Sequence, residues 1–252
     1  MRAIWSGYVS FGLVTLPVQL FSATDEHGAG FHQVHARDGS RIRHRRVCES
    51  EDVEVPQSEI ARGWERPDGR TVVLLDEDLA ALPLPTRKTV DVLGFVDERD
   101  VDPVLYAKPY WVGPAGEQGQ RPYALLVEAL ARHGAVAVAK VTLRTRERLA
   151  VLRPRRGMLV LHTLLWPEEI REPDDLSSAA PVTEREVQLA EMLMEQLAGV
   201  DIEDLHDEYA AALEQLVAAK MNGTEVDEPA EPVPAVDLMA ALEASIRATE
   251  KP

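Results

Sequence analysis

Arginine supplies the most conspicuous chemistry in this sequence. Arg37, Arg41, Arg43, Arg45 and Arg46 fall within ten residues, and Arg144, Arg146, Arg148, Arg153, Arg155 and Arg156 within thirteen. A guanidinium is a permanently charged, planar fork of donors that matches the oxygens of a phosphate. In RIRHRRVC, residues 41–48, Arg41, Arg43 and Arg45 alternate with Ile42 and His44, so an extended backbone projects the three arginines from one face. In AVAVAKVTLRTR, residues 135–146, Ala137, Ala139, Val141 and Leu143 share one parity, while the other turns cationic through Lys140, Arg144 and Arg146. Few aromatic residues lie among these cations, which disfavours stacked single-stranded bases and favours a duplex backbone. The competing reading is a solvated face balanced by Glu49, Glu51 and Asp52. Composition alone leaves both standing.

Other chemistry is sparser. His32, His35, His44 and Cys48 have the spacing H-x₂-H…H-x₃-C, which could wrap a tetrahedral zinc, but the paired CxxC knuckles are missing, so no metal is expected. Glu203, Asp204, Asp207 and Glu208 read as a solvated acidic helix face. The sequence holds no G-x-x-x-x-G-K-[ST], G-x-G-x-x-G, H-E-x-x-H or G-x-S-x-G motif, so neither catalytic residues nor a cofactor are expected. One enzymatic alternative stays open: a lysine such as Lys88, Lys108 or Lys140 acting through a Schiff base, as in a lyase at abasic sites near DNA ends.

The net charge of −16 at first argues against a polyanionic partner. Its distribution removes the objection. Residues 161–252 carry 22 of the 43 acidic residues but only 5 of the 27 basic ones. The first 160 residues are close to neutral, and both arginine clusters lie there. The single cysteine, Cys48, precludes an intramolecular disulfide and fits a reducing cytoplasm. No apolar run approaches the ~18 residues of a membrane span, and the apolar start, broken by Ser, Gly and Pro, reads as core strand and not as a signal peptide.

These residues need elements to position them. Residues 2–24 predict two strands, with Trp5, Val9, Phe11 and Leu13 on one buried face. Further short strands are predicted at 71–75, within 89–113 and at 157–166, and a helix at 122–133 that starts on Pro122 and stops at Gly134. From 183 the period becomes helical. Thr183 and Glu186 form a capping box, and Val187, Ala190, Met194 and Leu197 a stripe ending at Gly199. A second helix over about 202–221 shows Leu205, Tyr209, Leu213 and Leu216. A Pro/Glu-rich linker at 228–235 leads to a short amphipathic segment with Leu238, Met239, Leu242 and Ile246 on one side. That segment either packs back on its own domain or docks a partner as a helix in a groove, and the linker favours docking.

With these blocks in view, the chain resembles the bacterial Ku family, the DNA-end-binding proteins of non-homologous end joining. The resemblance runs in order through IWSGYVSFGLVTLPVQLFSAT, RIRHRRVCESEDVEVPQSEIARGWE, TVDVLGFVDERDVDPVLYAKPYWVGP, KVTLRTRERLAVLRPRRGMLVLHTL, HDEYAAALEQLVAAK and VDLMAALEASI. It implies a mixed β and α fold: a Ku-type β-barrel core over 1–182 with a bridge inserted at about 30–72, a helical arm over 183–227, and a linker and docking tail over 228–252. It also implies a ring-shaped homodimer that threads onto double-stranded DNA ends, a partnership with the ATP-dependent ligase D, and a cytoplasmic, nucleoid-associated protein. Mapped onto this sequence, Arg37, Arg41, Arg43, Arg45 and Arg46 would line the bridge. Lys140, Arg144 and Arg146 would come from a barrel strand, and Arg153, Arg155 and Arg156 from the loop after it. Leu238, Met239, Leu242 and Ile246 would meet the ligase.

Overall fold

The structure is a computed structural model that describes residues 1–25, 30–83, 85–173, 180–224 and 238–249. These residues fall into two compact units, Met1–His27 with Phe31–Glu172, and Gly28–Gly30 with Pro173–Pro252.

The first unit is built on seven strands: β1 (Trp5–Phe11), β2 (Val14–Ser22), β5 (Thr89–Asp97), β6 (Tyr106–Pro114), β7 (Ala135–Leu143), β8 (Arg146–Arg155) and β9 (Met158–Leu164). They close a barrel in the order β1-β2-β6-β9-β8-β7-β5. Every pairing is antiparallel except the closing one, where β1 runs parallel to β5 through Val9 opposite Val90. Closure leaves the barrel without a free edge.

Period-2 patterning fills the interior. Val9, Leu16, Val18, Leu20, Val90, Ala137, Ala139, Val141, Ala150, Leu152, Leu159 and Leu161 are all fully buried in one cluster. Into it packs α2 (Gly116–His133), whose Tyr123, Leu126, Val127 and Leu130 recur at helical spacing. The Tyr123 hydroxyl donates to the Val112 carbonyl at 2.7 Å and accepts from the Leu159 amide at 2.8 Å, tying helix to barrel. Burial raises its pKa. α2 crosses β2 closely at Gly119, where a Cβ would come within 2.9 Å of the Pro17 carbonyl oxygen. The opposite faces of the strands build a second cluster around Val101, Val136, Val151 and Leu164.

Three sequence expectations need correction here. The helix over 122–133 begins six residues earlier, so Pro122 lies inside it. Leu13 belongs to the turn after β1, with Gly12 at φ 59, and is fully exposed, although Trp5, Val9 and Phe11 do reach the core. The run 135–146 is not one strand: it turns at Arg144 and Thr145, and β8 starts at Arg146.

Between β2 and β5 the chain makes a long insertion, with β3 (Arg62–Glu65) paired antiparallel to β4 (Thr71–Leu74), then α1 (Asp76–Ala80). No described residue from 31 to 83 is buried. The second unit contains α3 (Glu184–Gln196), α4 (Glu208–Asn222) and α5 (Leu238–Thr249). The Thr183–Glu186 capping box forms as the residues predict. The stripe on α3 is rotated from expectation: Leu189 is buried and Leu193 half-buried, while Val187, Met194 and Leu197 are exposed. α3 packs against α5, and that partner, which local spacing does not reveal, selects the buried face. α4 starts at Glu208 and not near 202. Asp207 caps it by accepting from the Tyr209 and Ala210 amides, and Ile202–Asp204 form a separate 3₁₀ turn. Leu205 therefore lies outside the helix. Among the described residues no helix is long and apolar enough to cross a membrane.

Candidate nucleic-acid interface

The first arginine cluster sits on irregular backbone. Only two isolated β-bridges, Val34 with Arg41 and Val47 with Glu54, bracket residues 41–48. With no partner strand beside it, this segment is not the regular strand its alternation allows. All five arginines are exposed. Arg45 meets Glu54 at 3.4 Å, and Arg46 donates to the Gln57 side-chain oxygen. Among the described residues, Arg37, Arg41 and Arg43 have no acidic partner.

The zinc arrangement does not form. His35 pairs with Asp38 at 3.2 Å, and the Cys48 thiol lies 3.2 Å from the Ser50 hydroxyl. That hydrogen bond lowers the Cys48 pKa. Among the described residues no three His, Cys, Asp or Glu side chains converge on a metal position.

The second cluster is split by the strand pleat. On β8, Arg146 and Arg148 share the parity of Ala150 and Leu152, which face the barrel interior. Arg153 and Arg155 share the parity of Val151, on the outer face. Arg153 and Arg155 are thus strand residues, and only Arg156 lies in the following turn, correcting their placement in a loop. Arg153 reaches Glu98 at 3.5 Å, and its Nε is buried without a hydrogen-bond partner. Beside it, His162 and Tyr106 meet edge to face at 5.2 Å. Desolvation first, then the Arg153 charge, lowers the His162 pKa. Lys140 also points outward: its Nζ lies 4.0 Å from Glu147 and 5.4 Å from the centre of the Trp166 ring. Of the candidate Schiff-base lysines, Lys140 is therefore engaged, whereas Lys108 is exposed.

Arg144, Arg148, Arg2 and Lys108 converge on a cleft of about 680 Å³ at the barrel mouth, also lined by Trp5 and Tyr110. Arg144 and Arg148 belong to the cluster legible in the sequence, and register places Arg148 opposite Val141 near the end of β7. Arg2 and Lys108 carry no such signal. They are isolated cations brought in by β1 and β6, which are distant from β8 along the chain.

The C-terminal segment forms α5, and the described part of its apolar face is partly covered. Ile246 is buried, and Met239 and Leu242 are half-buried, on a helix that packs against α3. The side chain of Leu238 and the linker at 228–235 lie outside the described residues.

Comparison with known proteins agrees with the barrel. The family model for the Ku70/Ku80 beta-barrel domain matches residues 10–189. A non-homologous end joining protein Ku from Streptomyces griseus is 47% identical over 98% of this chain, and one from Frankia casuarinae is 49% identical over 98%. The chain spans 64% of the length of each of these two relatives. The protein of that name from Mycobacterium tuberculosis is 39% identical over 100% of this chain and 97% of its own length. A closed seven-stranded barrel, a family match across that barrel and full-length similarity to such relatives together establish that this chain belongs to the Ku family.

Proposed function

We propose that two copies of this chain associate through the insertion and close a ring that takes double-stranded DNA ends without regard to sequence, as a non-enzymatic scaffold of non-homologous end joining. The observation that carries this reading is the insertion itself. Phe31, Trp64, Val73 and Leu75 are each more than half exposed, in a stretch where no described residue is buried. Some fifty residues cannot hold a fixed shape without burying apolar surface, so a second copy is the natural cover. Arg37, Arg41 and Arg43 then serve the phosphate backbone, an interaction that positions a duplex without reading its bases. A ring also explains selectivity for ends, because a closed circle offers none to thread. Outward-facing Arg155, the exposed Arg144 and Arg146 at the β7–β8 hairpin, and the turn residue Arg156 extend the cationic surface. Arg45, Arg46, Lys140 and Arg153 act from within existing pairs.

Competition between linear and closed circular DNA of equal length tests the reading. Linear DNA is expected to compete strongly and the circle weakly. Equal competition would sink the ring. In the same assay, replacing Arg37, Arg41 and Arg43 by alanine should flatten the log–log salt dependence by about 0.9 for each phosphate that is no longer neutralised.

Docking of the ATP-dependent ligase D is assigned to α5. Since Ile246 is buried and Met239 and Leu242 are half-buried on a helix that packs against α3, engagement would exchange one apolar partner for another. Removing residues 229–252 should preserve end binding and abolish ligase stimulation.

A further inference from the structure

The cleft at the barrel mouth has a composition that phosphate binding along a duplex does not call for. Its rim is cationic, from Arg2, Lys108, Arg144 and Arg148, and its wall is partly aromatic, from Trp5 and Tyr110. Among the described residues none of the four cations has an acidic partner. Arg148 is half-buried, where an unpaired guanidinium is costly unless an anion meets it.

The backbone adds an independent argument. Arg144 is the first residue of the two-residue turn joining Leu143 to Arg146, and its φ is 58°. Such a position belongs to glycine or asparagine, because a Cβ crowds the backbone in the left-handed region. A strained arginine in place of glycine points to the guanidinium as the reason. The aromatic wall is fixed as well. The Trp5 indole N–H donates to the Thr142 carbonyl at 3.2 Å. A Cβ on Gly7 would collide with the Trp5 ring, so glycine makes room for the ring's position. The 680 Å³ volume is larger than one phosphate needs and accommodates a nucleotide.

We propose that this cleft binds a nucleoside monophosphate group, with Arg144 and Arg148 on the phosphate and the base against Trp5 and Tyr110. Arginine forks suit the phosphate dianion, and aromatic faces accept any base. The choice of a strand terminus as its occupant rests on the DNA-end reading above, while the chemistry of the cleft does not. A free nucleotide offers the same groups.

Calorimetric titration of the full chain with a 5′-phosphorylated thymidine trinucleotide, its 5′-hydroxyl counterpart and AMP separates these cases. The trinucleotide is too short to thread a ring, so the result is independent of ring closure. The phosphorylated form is expected to bind about 10-fold or more tightly than the hydroxyl form. Arg148→Gln should erase that preference. Arg144→Gly should weaken it while raising the thermal midpoint, because glycine relieves the turn, and a purely structural arginine would not separate the two readouts. Binding of AMP as tight as that of the trinucleotide supports the site and assigns it to free nucleotides; much weaker AMP binding assigns it to strand termini. Equal affinity for the two trinucleotides, or a preference that survives both substitutions, overturns the proposal. End binding that persists in that case leaves the ring reading intact, and loss of end binding with the preference retained sinks the ring alone.

Discussion

The barrel and the insertion are made from the same chain by opposite rules. The barrel alternates apolar and polar residues, and twelve of its inward side chains are fully buried. The insertion also carries large apolar residues, yet Trp64 is 65% exposed and Val73 63%. Both regions carry arginine clusters, but the barrel holds its arginines on paired strands and two-residue turns, while the insertion holds its own on irregular backbone between two bridges. The barrel is complete within one chain. In the proposed ring the insertion reaches a buried state through a partner. On that reading folding and assembly are separate, and a substitution should disturb one without the other.

The strongest test is to charge the insertion. Trp64→Glu with Val73→Glu should weaken self-association by roughly 100-fold or more, while the unfolding transition of the barrel stays in place. Light scattering at graded concentrations measures the first and denaturant titration the second. If the barrel unfolds with the dimer, the separation is wrong. A smaller effect is expected in the barrel. Tyr123→Phe leaves the Leu159 amide and Val112 carbonyl without their buried partner, at a cost of about 1–3 kcal/mol, with association unchanged. The smallest effect is one of pH. His162 has its pKa lowered from 6.5 by burial, so the unfolded chain binds more protons than the folded one below that value. Barrel stability should be full above about pH 6.5 and fall as the solution is acidified below it, and His162→Gln should flatten the decline. A pH slope untouched by that substitution would place its origin elsewhere.

Much of the barrel is legible in the sequence because its code is local. The parity of Ala137, Ala139, Val141 and Leu143 depends only on the two-residue repeat of a strand facing one core. Gly134 and the Thr183–Glu186 capping box mark helix ends by backbone chemistry that acts over a few residues. Hairpin turns are harder. Arg144–Thr145 contains neither glycine nor proline, so the residues read as continuous strand, and only pairing shows Leu143 opposite Arg146. Local spacing misplaces the stripe on α3 for a related reason: Met194 and Leu189 both fit a helical period, and only the packing of α5 decides which one is covered.

The order of apolar and polar residues by itself determined a β-rich core, helices after 183, two arginine clusters and an acidic last third, because each of these properties is written in residue type and short spacing. Only the tertiary structure decided which cations lie together. The pleat sends Arg148 and Arg153 to opposite faces of one strand, and barrel closure brings Lys108 and, from the far end of the chain, Arg2 to Arg144. It likewise decided that the apolar face of α5 rests on α3. Convergence in space depends on long-range strand and helix pairing, and no local pattern of residues encodes that pairing.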